Sequence, residues 1–319
     1  MFKKLYYGTY AKNALIYNKL DEIVHAFGKE NIELVLLKGC LLAENVYKDI
    51  GQRPMGDFDI LIQKENLNKA HRILINLGYK KLYDKNKFIE KLQLVYNWGY
   101  LRDNQLLELH WDILTPHSIY SVNIQEFFST KQKVRISNLK AFMFAPEFLL
   151  MHLCLHLNHN IHGGGIRLSW YVDIKKTCQI FYNEINWETL VLKCDSYKIN
   201  EPVLNNLFIS FKYFNAKIPE YLFKNGSFEQ FEQLFLQLYK FGIQKKAFVS
   251  DLNYFKKIKQ ISGFANKIRF LWGSLFPSSE YLKIKYQTKF RYSEYLYYPV
   301  EMFLLIKKVS LSIFMTIIK

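Results

Sequence analysis

The sequence predicts an α+β protein: a helical segment over residues 1–30, a mixed β-sheet region with flanking helices over 31–140, and a mainly α-helical region over 141–319. Three observations carry this prediction. The run IELVLLKG (32–39) is short, nearly continuously apolar and closed by a glycine, and the stretch after it has helical spacing. The segments GDFDILI and LLELHWDI alternate apolar and ionisable residues with the period of a strand. From Pro146 onward, strand signals give way to helical patterning.

The elements follow in order. Residues 10–28 recur apolar at helical spacing and stop at Gly28, a C-cap residue. Strand, glycine turn and helix come next, with CLLAENVYKD as the helix after Gly39. In ENLNKAHRILINLGYK, Leu67, Ala70, Ile73, Leu74 and Leu77 make one helical stripe closed by Gly78. KLQLVYNWGY, LLELHWDI and KQKVRIS read as later, mostly antiparallel strands. The change to helices falls near residues 137–145, and no repeat of recognisable period occurs.

At 319 residues, with 50% hydrophobic and 17% aromatic content, the chain is long enough for a substantial core, which excludes a disordered chain. Lys and Arg number 44 against 28 Asp and Glu, a net charge of +16. That balance points to phosphate-bearing partners such as nucleotides, nucleic acid or an anionic membrane surface, although enrichment in Lys, Ile, Asn, Tyr and Phe also fits genomic base bias. The excess concentrates in residues 240–319, which hold 15 Lys and Arg and 4 Asp and Glu.

Cys40, Cys154, Cys178 and Cys194 are scattered without a C-x-x-C, which fits a reducing cytoplasm and argues against a zinc knuckle or a disulfide framework. The N-terminus lacks the apolar core of a secretion signal. In PVEMFLLIKKVSLSIFMTIIK, Glu301, Lys307 and Lys308 interrupt the apolar run, so the tail reads as a docking or amphipathic helix. A cytoplasmic protein with a peripheral position at the inner membrane face is the resulting expectation.

The chemistry centres on GQRPMGDFDILI (51–62). On a strand, Asp57 and Asp59 point to one face while Phe58 and Ile60 point to the other. Two like charges so close repel unless a cation sits between them. In LLELHWDI the same alternation places Glu108, His110 and Asp112 opposite Leu107, Leu109, Trp111 and Ile113. If this strand neighbours the first, Glu108 completes a three-carboxylate cluster of hard oxygen ligands suited to Mg²⁺. The Lys38-Gly39 turn opens a helix, whose N-terminal N–H groups favour phosphate.

The motifs LLKGCLLAENVY, RPMGDFDILI, AHRILINLGY, LLELHWDI, HLCLHLNHN with LSWYVDI, and LFPSSEYLKIKY occur in this order over nearly the whole chain. Together they resemble the nucleotidyltransferase superfamily related to DNA polymerase β, and within it the bacterial uncharacterised nucleotidyltransferases associated with polysaccharide biosynthesis. That resemblance implies a nucleotidyltransferase-like fold and transfer of an NMP from an NTP to a sugar, protein or RNA, with two Mg²⁺ ions. It implies Asp57, Asp59 and Glu108 as metal ligands and catalytic carboxylates, Gly39 as the phosphate-turn glycine, and Lys38, Cys40 and Arg53 as nucleotide-binding positions. Cys40 departs from the Gly-Ser of the wider superfamily, and a thiol is the poorer donor.

Two alternatives stand beside this reading. A module that keeps the fold and binds nucleotide or nucleic acid without turnover is one, with Cys40 as its motivation. The other is a zinc-dependent hydrolase on His152, His156 and His159, whose i, i+4, i+7 spacing shares one helical face. HGGG matches a lipase oxyanion loop, but no G-x-S-x-G accompanies it, and Gly163 to Gly165 read as a loop between helices. Asp173 is either a buried polar anchor or a substrate contact. The basic aromatic tail suits stacking on bases or lying on lipid headgroups.

Overall fold

Residues 2–83, 86, 88–116, 118–136, 139–162, 166–224, 226–241, 261, 263–286 and 292–304 are described by a computed structural model. Helix α1 (Phe2–Lys29) runs longer than its apolar stripe and buries Ile16, Tyr17, Leu20, Ile23 and Phe27 at helical spacing. Strand β1 (Val35–Leu37) leads directly into α2 (Lys38–Asn45). Then come β2 (Asp57–Leu61), α3 (Leu67–Asn76), β3 (Lys80–Lys81), β4 (Asn97–Arg102) and β5 (Gln105–His110). The stop at Gly78 is as expected: its φ is +85°, Tyr79 N–H donates to the Leu74 carbonyl and Gly78 N–H to that of Ile75.

After α4 (Ile124–Ser129), β6 (Gln132–Ile136) and β7 (Leu139–Met143) complete a seven-stranded mixed sheet in the order β3-β4-β5-β2-β1-β7-β6. Two pairings are parallel, β2 with β5 and β1 with β7, and the rest are antiparallel. Strand β7 lies in the stretch read from sequence as a boundary. It was invisible there because its place beside β1 depends on pairing Val35 with Phe142, more than a hundred residues apart. The strand expected over KLQLVYNWGY starts only at Asn97, with a turn over residues 91–93 and irregular chain between.

The later half is helical, as expected: α5 (Pro146–His162), α6 (Leu168–Ile180), α7 (Trp187–Tyr197), α8 (Asn200–Phe214), α9 (Glu229–Phe241), α10 (Phe264–Leu275) and α11 (Ser279–Tyr286). Helices α5, α6 and α8 pack on one another, and a polar pin joins them: Tyr171 donates to Asn206 Oδ1 at 3.1 Å, and Asn206 Nδ2 donates to the Cys154 carbonyl at 3.3 Å. The main apolar core runs from Ile16 through the sheet to Leu238, beside a small second cluster of Leu94, Ile261 and Phe270. The expected Gly163–Gly165 loop and the tail from residue 305 lie outside the described residues. Among the described residues, no helix is long and apolar enough to cross a membrane.

What matters for the site is the register of β2 on β5. Phe58, Ile60, Leu107 and Leu109 are fully buried on one face. Each such side chain contributes roughly 1.5–3 kcal/mol, and a one-residue slip would drive carboxylates into that core. The apolar face therefore sets Asp59 opposite Glu108 on the other face.

Candidate active site

A cavity of about 530 Å³ opens between the sheet and the helices α5 and α6. Its sheet side carries Lys38, Gly39, Asp57, Asp59, Tyr96 and Glu108. His156, Asn160, Arg167, Trp170 and Asp173 line the helical side. Of the seven positions that the family resemblance implies, Lys38, Gly39, Arg53, Asp57, Asp59 and Glu108 meet here, and Cys40 does not.

Asp59 is the hub. Its Oδ1 accepts from Lys38 Nζ at 2.7 Å and lies 3.0 Å from His110 Nε2, which is also 3.2 Å from Glu108 Oε2. Asp59 and His110 are 2% and 3% exposed, so these charges interact with little screening. Burial pushes the Asp59 carboxyl up, but the Lys38 charge and the His110 hydrogen bond outweigh it and hold the group well below the usual carboxylate range. Burial pulls His110 down, yet its hydrogen bonds to Asp59 and Glu108 raise it on balance. Asp57 is pushed up by burial and by the charges of Asp59 and Glu108.

These shifts test whether a divalent cation fits. Neighbouring carboxylates disfavour one another's charged form unless a cation lies between them, which adds to the burial of Asp57. The oxygen donors suit Mg²⁺. Among the described residues, Asp59, Glu108 and His110 form the group whose ligating atoms lie within 4.8 Å of one another. This group could hold a metal; Asp57, expected as a ligand, lines the same cavity but is not one of its members. His110 was read from sequence as sharing the face of Glu108 and supporting the carboxylates from behind, not as a ligand; the i+2 spacing after Glu108 was its signal.

Lys38 occupies the strand-to-helix turn with φ +44°, a left-handed conformation that costs a side-chain-bearing residue about 1–2 kcal/mol. Its ammonium reaches Asp59, which offsets the cost. Gly39 needs its missing side chain for a different reason: a Cβ there would stand 2.7 Å from Arg53 Nη1 and 3.0 Å from Met55 Cγ. Gly39→Ala is expected to displace the guanidinium and lose about 1–3 kcal/mol of stability, read as a lower urea midpoint. An unchanged midpoint would show that Arg53 yields freely.

Cys40 lies outside the cavity lining. Its Sγ donates to the carbonyls of Leu37 at 3.1 Å and Asp59 at 3.2 Å, and burial pushes the thiol up to about 12. The side chain staples the turn to β2 rather than facing a ligand. Asp112 also stays local, accepting from the N–H groups of Ile113 and Leu114 as a turn cap at the end of β5.

The three helical histidines divide: His156 and His159 line the cavity, whereas His152 turns into the core. His152 is buried edge-on against Phe144, with burial lowering it to about 3. His156 packs against Trp170 and lies 3.2 Å from Asn160 Nδ2, whereas His159 is exposed. Shared spacing placed them on one helix, but no three-ligand group among the described residues includes them. The zinc reading is corrected accordingly.

A family model described as "Uncharacterised nucleotidyltransferase" matches residues 1–215, which include β1 through β7 and every wall of the cavity. The chain belongs to this nucleotidyltransferase family. No curated protein matches it. Among solved structures, this chain is similar to ANT(2'')-Ia in complex with adenylyl-2''-tobramycin, with 13% identity and a TM-score of 0.41 over 59% of this chain and 97% of that one. A solution structure of ANT(2'')-Ia gives 12% identity and a TM-score of 0.42, covering 63% and 98%. An antigenic nucleotidyltransferase-like protein from Paracoccidioides brasiliensis gives 16% and 0.35, covering 63% and 93%.

Proposed function

We propose that this chain is a Mg²⁺-dependent nucleotidyltransferase that moves an NMP from an NTP to a hydroxyl or phosphate acceptor on a sugar, protein or RNA. The observation that carries the reading is the parallel pairing of Asp59 with Glu108, which gathers the D-x-D pair and a third carboxylate in one cavity with the Gly39 turn. Asp57, Asp59 and Glu108 would hold Mg²⁺, two ions in this reading. The metal would supply charge neutralisation at the phosphoryl oxygens and lower the pKa of the attacking hydroxyl.

The protein's own groups take the remaining tasks. Lys38, at the N-terminus of α2, contributes an ammonium to the triphosphate, and Arg53 a guanidinium. Glu108, with 27% of its side chain exposed, accepts the proton of the acceptor hydroxyl. The acceptor oxygen bonds to the α-phosphorus as the bond to pyrophosphate breaks, so the products are the nucleotidylated acceptor and pyrophosphate. His110, between Asp59 and Glu108, keeps the two carboxylates aligned.

Glu108→Gln tests the reading with least structural disturbance, because Lys38 keeps Asp59 as its partner. Incubated with each of the four NTPs and Mg²⁺, the wild-type chain is expected to release pyrophosphate or label itself. The variant is expected to be slower by about 10²–10⁴-fold, the usual contribution of a positioned general base. Equal rates would reject the assignment. One observation favours the reading without turnover: Lys38 Nζ neutralises Asp59 at 2.7 Å, as a metal would. NTP binding without pyrophosphate release from any NTP would establish that second reading.

A further inference from the structure

Arg53 enters the cavity wall from the loop before β2, and its guanidinium is held on one edge. Nε donates to Asp173 Oδ1 at 3.1 Å and Nη2 to Asp173 Oδ2 at 2.8 Å, a fork that matches both carboxylate oxygens. Tyr47 donates its hydroxyl to the same Oδ1 at 2.8 Å. Asp173, on α6, is 2% exposed. These three residues come from the segment after α2, the approach to β2 and the helical half, separated by up to 126 positions.

The opposite edge of the fork is differently placed. Nη1 has the Pro54 carbonyl at 3.4 Å, at the long limit of a hydrogen bond. It lies against the Gly39 turn, close enough that a Cβ on Gly39 would stand 2.7 Å away. Glycine at the turn and a clamped guanidinium beside it thus leave N–H donors next to the backbone N–H groups that open α2. Donors converging in this way recognise a phosphate group.

A buried ion pair is a weak source of stability, since well-packed apolar residues of similar volume commonly do as well or better. The pair therefore calls for another explanation. Asp173 removes the rotational freedom of the guanidinium and directs its remaining edge to the turn, while Tyr47 fixes Asp173. We infer that Asp173 is a positioning residue, held by Tyr47, that orients Arg53 over the Gly39 turn to bind a phosphate of the nucleotide's polyphosphate chain. The inference rests on the nucleotidyltransferase reading for the identity of the ligand, and on the clamp geometry for the role of Asp173.

The test is calorimetric titration of the full-length chain with inorganic tripolyphosphate and Mg²⁺, paired with thermal unfolding. The double variant Arg53→Met, Asp173→Leu is expected to unfold within a few degrees of wild type and bind tripolyphosphate at least about tenfold more weakly. A purely structural pair would not separate those two readouts. Arg53→Lys keeps the charge but not the fork and is expected to lose affinity similarly, whereas Tyr47→Phe is expected to lose about threefold. Should the double variant fail to fold, the two single variants decide: wild-type affinity in both overturns the inference. Absence of binding by the wild-type chain overturns it too. Binding that follows the expected order, with no pyrophosphate released from any NTP, supports the clamp while rejecting the transferase reading.

Discussion

Asp59→Asn is expected to abolish transfer and also to weaken the fold, two losses from one atom change. Asn cannot balance the Lys38 ammonium, which sits 2.7 Å away with only 16% of its side chain exposed. Breaking a buried pair from one side strands the other charge and costs about 3–5 kcal/mol. Transfer should fall by roughly 10³-fold or more, since a metal-centred charge contribution of several kcal/mol converts at about 1.4 kcal/mol per tenfold. Urea unfolding and pyrophosphate release measure the two separately. Lys38→Met combined with Asp59→Asn should recover much of the stability and none of the activity, because it removes the stranded charge without restoring a ligand. A single variant as stable as wild type would mean that the pair does not brace the site.

Acid should destabilise this chain well before the Asp59 carboxyl titrates, and His152 should be a main cause. Burial holds this imidazole neutral in the folded state, down to about 3, against about 6.5 when unfolded. The unfolded chain therefore binds the extra proton as pH falls below about 6.5, and stability drops by up to about 1.4 kcal/mol per pH unit until the folded value is reached. The window is distinct from that of Asp59. Asp59 is held low, so its contribution is complete above about pH 3.9 and is lost only below it. His152→Phe, placed against Phe144, should flatten the profile between pH 6.5 and 4 in urea midpoints taken at several pH values. Parallel profiles for the two proteins would assign the acid sensitivity elsewhere.

Much of the site could be read in advance because its parts are local. The G-D-F-D-I-L-I and L-L-E-L-H alternations state which side chains share a face, whatever the strands pair with. Gly78 signals a helix end by itself. Arg53 could be read as a nearby base, but not as one arm of a clamp, because Asp173 lies 120 residues on. Cys40 was taken for a ligand-facing position, whereas its thiol turns to the Leu37 and Asp59 carbonyls. The histidines of α5 share a helical spacing, yet only His156 and His159 meet in the cavity, because His152 packs against Phe144.

The amino-acid order alone determined the α+β division, the strand faces of Asp57, Asp59 and Glu108, and the glycine turn ahead of α2, for these follow from backbone periodicity and steric limits within a few residues. Only the tertiary structure decided that β2 lies parallel to β5, that β7 enters beside β1, that Lys38 and His110 bracket Asp59, and that Asp173 grips Arg53. Those are pairings between distant segments, chosen by the burial of whole faces and by charge neutralisation in the cavity wall. No local pattern encodes which remote partner satisfies them best.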